Sequence, residues 1–346
     1  MLGRLVASAV GERRAAWLLG AVELHPAFSV PAGDEVPRAV LAQALNILLL
    51  DRLLAAVPSG AAYVDEQVGR GGRVHLDHGA VRTVAGVPTG DLPQGHRSIT
   101  RVLRALGYAH AETYDLGRLR MTGYAWRHRD LPADVSQFFV SELHADRFPV
   151  PFAEAVERIV GKSADPLDAA ACRDLAHLEG HGALPWHRAE VLVAALLCCF
   201  TRHHPEPAEA DYRAVLGASS EMAWIATEGT VFNHAADRVV DVLAVATGER
   251  AAGRPVKDDV EVSASGRVLQ TAHRAAVVTR TFRAADGELV EREVPGSFFE
   301  FIQRRPLPGG ERLDLAFDAA NAQEIFAMTR VGPQTSRAEC GERGGP

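Results

Sequence analysis

A repeated order of predicted elements constrains the fold of this chain most strongly. In residues 72–150, a strand over residues 74–84 precedes a short helix capped by Ser98 and then three further strands. In residues 231–330, the segment around His234 leads into a helix that ends at Thr247, and a series of strands separated by turn residues follows. The repetition predicts an α+β protein in which two βαβββ-like units form a curved mixed sheet around a central site.

Helical segments flank and separate these two units. Residues 1–71 predict an N-terminal helical segment, with helices over residues 2–24 and 36–57 and a polar connector after Pro58. Residues 151–230 predict an α-helical insertion, with three alanine-rich helical segments between residue 151 and about residue 216. A closing helix over residues 319–329 and a disordered tail over residues 331–346 are expected at the end. We expect all of these parts to form one compact domain.

Composition and charge exclude several classes of function. The formal net charge is −7, and there is no run of arginine and lysine, so the chain lacks the electrostatic signature of a nucleic-acid-binding protein. The longest apolar runs, residues 39–50 and 191–200, are shorter than the roughly 18–20 residues that a membrane span needs. The four cysteines form no Cys-x-x-Cys pair, which predicts buried thiols in a reducing cytoplasm.

The strand over residues 74–84 carries the first candidate site residues. Side chains on a strand alternate between its two faces, so His78 and Arg82 should point to the same side, about 13 Å apart at roughly 3.3 Å per residue. An imidazole and a fixed cation at this separation suit a metal with an anionic substrate beside it. The alternative is an ordinary histidine near a sheet edge and a solvated arginine.

A third candidate residue, Glu300, lies among phenylalanines on the last predicted strand. A carboxylate in such surroundings is costly to bury unless it is paired or bound to a metal. Together with His78 and His234 it would complete the two-histidine, one-carboxylate set of non-haem Fe(II) oxygenases. The three residues are distant in sequence, so their spacing alone does not establish this set.

Other histidines and aromatic residues are explained better by structural roles. His177 and His181 lie four residues apart, but Gly180 and Gly182 favour a helix end over a metal pair. The pair at positions 203 and 204 predicts a solvated loop. Three residues of one predicted strand could line the mouth of a pocket, but packing explains them better, since aromatic residues are common on strands. They are Tyr124, Trp126 and His128.

Four stretches of the chain, in this order, resemble the DUF1338 family. They are Asp77-His78-Gly79-Ala80-Val81-Arg82-Thr83-Val84, Asn233-His234, Leu269-Gln270-Thr271 and Pro295-Gly296-Ser297-Phe298-Phe299-Glu300-Phe301. The best understood members of that family are the 2-oxoadipate dioxygenase/decarboxylases, also called hydroxyglutarate synthases. Their fold is similar to that of the vicinal oxygen chelate enzymes, which are built from paired βαβββ modules around a metal. The resemblance extends from about residue 72 to residue 330.

The resemblance implies a role for each matching residue. His78, His234 and Glu300 would bind Fe(II), Arg82 would be the catalytic residue that binds a substrate carboxylate, and Gln270 would contact the substrate or lie close to it. The implied substrates are O2 and a 2-oxo acid, with 2-oxoadipate converted to 2-hydroxyglutarate and CO2 by intramolecular hydroxylation. Long family members continue well past the closing helix. We expect this difference in length to affect the choice of substrate more than it affects the iron chemistry.

Three alternatives remain open at the level of sequence. The same chemistry could act on an aromatic or branched 2-oxo acid. The chain could be a vicinal-oxygen-chelate hydrolase, isomerase or ring-cleaving dioxygenase with another divalent metal, or a protein that binds a small molecule without catalysis. Serine-hydrolase and phosphate-loop chemistry lack their motifs, a Gly-x-Ser-x-Gly elbow and a Walker loop.

Overall fold

An eight-stranded mixed sheet forms the centre of the protein in the computed structural model, which describes residues 1–29 and 33–319. The strands are β1 (Glu35–Pro37), β2 (Leu76–Ala85), β3 (Tyr108–Leu116), β4 (Met121–His128), β5 (Gln137–His144), β6 (Ala183–Pro185), β7 (His234–Arg238), β8 (Glu261–Val262), β9 (Val268–Ala272), β10 (Val277–Arg283), β11 (Leu289–Pro295) and β12 (Phe298–Arg304). The helices are α1 (Leu2–Val10), α2 (Glu12–Ala21), α3 (Arg38–Ala56), α4 (Pro58–Gly69), α5 (Arg97–Ala105), α6 (Val150–Val160), α7 (Ala169–His181), α8 (Trp186–Cys198), α9 (Glu209–Leu216), α10 (Ser220–Glu228) and α11 (Val242–Ala251).

The strand order of the main sheet, β3-β4-β5-β2-β7-β12-β9-β8, shows the predicted internal repeat. In the first unit β2 pairs in parallel with β5, and in the second unit β7 pairs in parallel with β12. The antiparallel pair of β2 and β7 joins the two units at the centre. The predicted α+β fold with two βαβββ-like units is therefore confirmed. The strands β10 and β11 form a separate hairpin between β9 and β12.

Alternate residues of the central strands face opposite sides of the sheet. Val81 and Phe138 belong to the large core beneath the helices α1–α4 and α8, and we call this side the outer face. His78 and Arg82 lie on the other side, which we call the inner face. Each is an odd number of residues from Val81 along β2, and side chains alternate between the two faces of a strand. The outer face leaves no room for a side chain at Gly79, where an added Cβ would meet the Phe232 ring at 1.5 Å.

The long helix α3 lies in this core. It is long and apolar enough to cross a membrane, but 72% of its most apolar window is buried inside the protein. Its apolar residues therefore pack against other elements of the fold, as expected for the core helix of a globular protein.

The predicted polar connector after Pro58 is wrong, because residues 58–69 form helix α4. Tyr63 of this helix lies against the rings of Phe299 and Phe301, with centroid distances of 5.7 and 4.8 Å, and its hydroxyl donates to Asp237 at 2.7 Å. Tertiary packing has outweighed the low helix propensity of the Pro-Ser-Gly start.

Other local predictions are also corrected. The stretch up to residue 216 contains the four helices α6–α9 rather than three, and α10 follows it. His204 is buried rather than solvated, with its Nε2 2.9 Å from the Ala226 carbonyl, and burial lowers its pKa to about 4. Of the cysteines expected to be buried, Cys172 and Cys198 are exposed, whereas burial raises the pKa of Cys199 to about 12. Most of the predicted closing helix and the whole predicted tail lie outside the described residues.

Candidate metal centre

Three side chains from the two central strands and β12 meet on the inner face. They are His78 of β2, His234 of β7 and Glu300 of β12, and their ligand atoms all lie within 4.8 Å of one another. The two Nε2 atoms are 3.3 Å apart, and the Glu300 carboxylate oxygens lie 3.3 Å from that of His234 and 3.7 Å from that of His78. Atoms about 2.1 Å from a shared metal and at right angles to each other are about 3.0 Å apart. The geometry therefore fits one face of a metal's coordination shell.

The protonation states of the two imidazoles suit this role. Burial lowers the pKa of His78 and lowers the pKa of His234 well below its usual value, so both rings are neutral at neutral pH. The Nδ1 atom of His78 lies 2.9 Å from Asp77 Oδ1, and that of His234 lies 3.1 Å from Asn233 Oδ1. Each Nδ1 can donate its hydrogen outward, which leaves the Nε2 lone pair to face the centre of the cluster.

Asp77 belongs to a buried charge network. Its carboxylate accepts two hydrogen bonds from Arg304, both 2.8 Å long, and a third of 2.7 Å from Arg238. Burial alone would raise the pKa of Asp77, but Arg304, His78 and Arg238 together hold it well below its usual value. Asp77 is thus ionised and fixed, and it orients the His78 ring from behind.

Asn233 has the corresponding position behind His234. Substituting Asn233→Ala is expected to weaken metal binding by roughly 10- to 100-fold, because outer-shell partners fix the tautomer and the orientation of a ligating histidine. The measurement is the Kd for Co(II), followed by absorbance. Asn46→Ala is a matched control, since Asn46 is also buried but donates to Tyr108 away from the cluster. Equal Kd values for the two variants would show that Asn233 does not orient a ligand.

The electrostatics of Glu300 predict how metal binding depends on pH. Burial, together with the negative charge of Asp77, raises the pKa of Glu300 to about 8. Without metal this carboxyl is therefore mostly protonated at pH 7, and a metal ion must displace the proton. The affinity for Co(II) should rise about tenfold per pH unit from pH 6.5 and level off above pH 8. A Kd that stays constant between pH 6.5 and 8 would contradict a one-proton exchange at Glu300.

Arg82 is the next inner-face residue along β2 after Ala80, and it is 1% exposed. Its guanidinium lies 4.9 Å from the centre of the Trp224 ring, within the range of a cation–π interaction. Burial lowers the pKa of Arg82 to about 10, while the negative charge of Glu221 raises it. Arg82 therefore remains a cation at neutral pH, supported by two side chains of helix α10.

A pocket lies beside the cluster. Its walls combine polar groups with two aromatic rings. The lining residues are His78, Ala80, Arg82, Phe139, Ser141, Asn233, His234, Gln270, Glu300, Phe317 and Asp318. The cavity can thus hold a small anionic molecule between the cluster and Arg82, with amide groups and apolar surface around it.

All five residues singled out in the sequence lie around this cavity, whereas other candidates do not. Tyr124, Trp126 and His128 are not among the lining residues. His177 and His181 stack on each other, with ring centroids 4.1 Å apart, at the end of α7. Within residues 1–29 and 33–319, the triad is the one group of three potential ligands that meets the distance requirement.

Sequence reasoning missed the residues that support the triad. Asp77 and Asn233 each directly precede a candidate histidine, so the repeated pairing of an Asx residue with histidine was an available signal. Arg304, Phe317 and Asp318 carried no such signal, because their places depend on the path of the chain after β12.

Comparison with known proteins identifies the family. A family model described as 2-oxoadipate dioxygenase/decarboxylase matches residues 51–335. The chain belongs to the 2-oxoadipate dioxygenase/decarboxylase family. It is accordingly an enzyme of the 2-oxo acid dioxygenase/decarboxylase class. A search of curated proteins gave no match.

Solved structures agree with this fold. A glyoxalase superfamily protein from Ralstonia eutropha JMP134 is 47% identical and has a TM-score of 0.87, covering 92% of this chain and 98% of its own. Hydroxyglutarate synthase from Oryza sativa, in complex with 2-oxoadipate, is 17% identical with a TM-score of 0.67, covering 87% and 97%. The Pseudomonas putida hydroxyglutarate synthase with 2-oxoadipate is 21% identical with a TM-score of 0.55, covering 86% and 74%. The two synthases share the fold of this family member.

Proposed function

We propose that this family member is an Fe(II)-dependent dioxygenase/decarboxylase that converts 2-oxoadipate and O2 to 2-hydroxyglutarate and CO2. The observation that carries the proposal is the convergence of two neutral imidazoles and one carboxylate in a cavity that also contains a buried arginine. Family membership supports the reaction class. The structures of hydroxyglutarate synthases with 2-oxoadipate support the choice of substrate class by analogy.

The donor set suits Fe(II). Two histidines and one carboxylate on one face leave positions open for a bidentate substrate and O2, as in non-haem Fe(II) oxygenases. Fe(II) in this site would activate O2 for oxidative decarboxylation, and the 2-oxo acid itself would supply the electrons that reduce O2. Its ligands would be His78, His234 and Glu300, and the carboxylate would offset one of its two positive charges.

The remaining residues of the cavity would bind and orient the substrate. Arg82 presents a planar fork that can grip a carboxylate through two hydrogen bonds, and its buried position strengthens such a pair. The Asn233 amide nitrogen has no hydrogen-bond partner among the described residues and can donate to a substrate oxygen. The buried walls limit the access of water. One oxygen atom of O2 would end in the new carboxylate formed at the former keto carbon and the other in the new hydroxyl group, so no second 2-oxo acid is consumed.

A second candidate keeps the chemistry and changes the acid. Phe139 and Phe317 make part of the cavity wall apolar, which would suit the tail of an aromatic or branched 2-oxo acid. The charge of Arg82 favours a diacid, since it can bind the carboxylate at the far end. We therefore place 2-oxoadipate first.

The test is oxygen consumption by the Fe(II)-loaded enzyme across a panel of 2-oxo acids. The panel contains 2-oxoadipate, 2-oxoglutarate, phenylpyruvate and 4-methyl-2-oxopentanoate. We expect equal amounts of O2 consumed and CO2 released, with the highest kcat/KM for 2-oxoadipate. A higher value for either monoacid would select the second candidate. Turnover of none of the four acids would contradict the proposed function.

A further inference from the structure

The chain after β12 crosses the open side of the curled sheet. We call residues 313–318 the strap. On one side of the sheet, the Leu315 carbonyl accepts a hydrogen bond of 2.9 Å from Arg127 of β4, and the Phe317 amide donates to the Tyr114 hydroxyl of β3, also at 2.9 Å. On the other side, the strap meets the turn between β8 and β9. The strap is thus tied to both ends of an eight-stranded sheet.

The contacts at the β8–β9 turn are hydrogen bonds in which side chains of the strap accept from a side chain and from a backbone amide. Asp314 accepts a hydrogen bond of 2.7 Å from Arg267, and Asp318 accepts one of 3.0 Å from the Ala264 amide. The Asp314 amide also donates to the Arg305 carbonyl at 3.0 Å. These contacts hold an irregular segment that has only a single β-bridge, between Leu313 and Pro306.

Arg304 connects the strap to the metal cluster. Its Nη1 donates to the carbonyls of Asp314 and Ala316, at 2.9 and 2.7 Å. Its Nε and Nη2 bind the Asp77 carboxylate, which orients His78. A single buried guanidinium therefore fixes the strap relative to a candidate metal ligand.

The strap places an aromatic ring over the cluster. The Phe317 ring centre lies 4.9 Å from that of His78 and 5.0 Å from that of Phe139, and the Arg304 guanidinium carbon is 5.3 Å from it. Phe317 and Asp318 both line the cavity.

We propose that the strap closes the metal cavity and that Phe317 sets the size of the substrate tail that the cavity accepts. The second part rests on the proposed function, whereas the first part does not. The strap would have to loosen for metal and substrate to enter. Phe317 would then exclude acids with bulky tails, because its ring occupies space beside the triad.

Two variants test the strap, and their first readout does not depend on turnover. Phe317→Ala removes the ring, and Tyr114→Phe removes only the hydroxyl that accepts from the Phe317 amide. The control is Phe148→Ala, because Phe148 stacks on Phe152 at 4.0 Å and does not line the cavity. Circular dichroism confirms that each variant is folded. The first readout is the rate at which a chelator extracts bound Co(II).

We expect Co(II) release at least tenfold faster in Phe317→Ala, a smaller increase in Tyr114→Phe and no more than a twofold change in Phe148→Ala. The second readout is the kcat/KM for phenylpyruvate divided by that for 2-oxoadipate. Loss of the ring should raise this ratio by about 10-fold or more, in the range that a change of pocket size gives.

Each outcome decides one part of the proposal. Unchanged Co(II) release in both strap variants would overturn closure of the cavity. An unchanged substrate ratio in an active enzyme would overturn the role of Phe317 in specificity. A wild-type enzyme that turns over no 2-oxo acid would instead contradict the proposed function, and the Co(II) rates would still decide whether the strap covers the site.

Discussion

The His234→Ala variant should fold but fail to retain a metal ion. Two of the three converging donors remain in this variant. The imidazole that is lost is kept neutral by burial, and a neutral imidazole is the form that binds a metal. The loss of affinity should exceed the roughly 10- to 100-fold effect typical of an outer-shell residue. Metal analysis after gel filtration, together with the Kd for Co(II), measures this loss.

His204→Ala provides the matched control for this variant. His204 is 6% exposed and His234 is 4% exposed, so both substitutions remove a buried imidazole. The His204 ring binds the Ala226 carbonyl and belongs to no metal-binding group within the described chain. His204→Ala should therefore lose stability without losing metal. Retention of metal by both variants would mean that His234 is not a ligand.

Substituting Arg82→Lys should weaken substrate binding and leave metal binding intact. Lysine keeps the charge but cannot form the two parallel hydrogen bonds that a guanidinium gives a carboxylate. Disturbing a buried, hydrogen-bonded charge pair costs about 2–5 kcal/mol, and the lower end of this range corresponds to a roughly 30-fold higher Kd. An anaerobic titration of the metal-loaded protein with 2-oxoadipate measures the change.

Arg280→Lys is the control for this second substitution. Arg280 binds Glu228 through two hydrogen bonds of 2.7 and 2.6 Å and does not line the cavity. It should bind 2-oxoadipate as the wild type does. If Arg82→Lys loses the metal instead, or binds 2-oxoadipate with unchanged affinity, then Arg82 does not have the proposed role.

Periodicity made the sheet predictable from the sequence. Alternation along β2 placed His78 and Arg82 on one face, and the turn residues around β9–β12 marked the second unit. The repeated order of strands and helix then predicted that the two units form one sheet. These signals are local, so a single sequence contains them.

The features that were missed depend on contacts between distant residues. Helix α4 is stabilised by the packing of Tyr63 against β12, and His204 is buried by helix α10, although neither sequence looks helical or buried by itself. Arg304 and Asp77 lie 227 positions apart and meet only in the folded sheet. The strap has almost no regular structure, so no periodic pattern in the sequence predicts that Phe317 lines the cavity.

The most direct test of the proposed function is an anaerobic titration of the Fe(II)-loaded protein with 2-oxoadipate. We predict one Fe(II) per chain and a visible charge-transfer band that grows to saturation as the 2-oxo acid binds. The band should be absent in His234→Ala. A wild-type protein that binds no Fe(II), or that binds it and shows no band with any 2-oxo acid, would contradict the central claim.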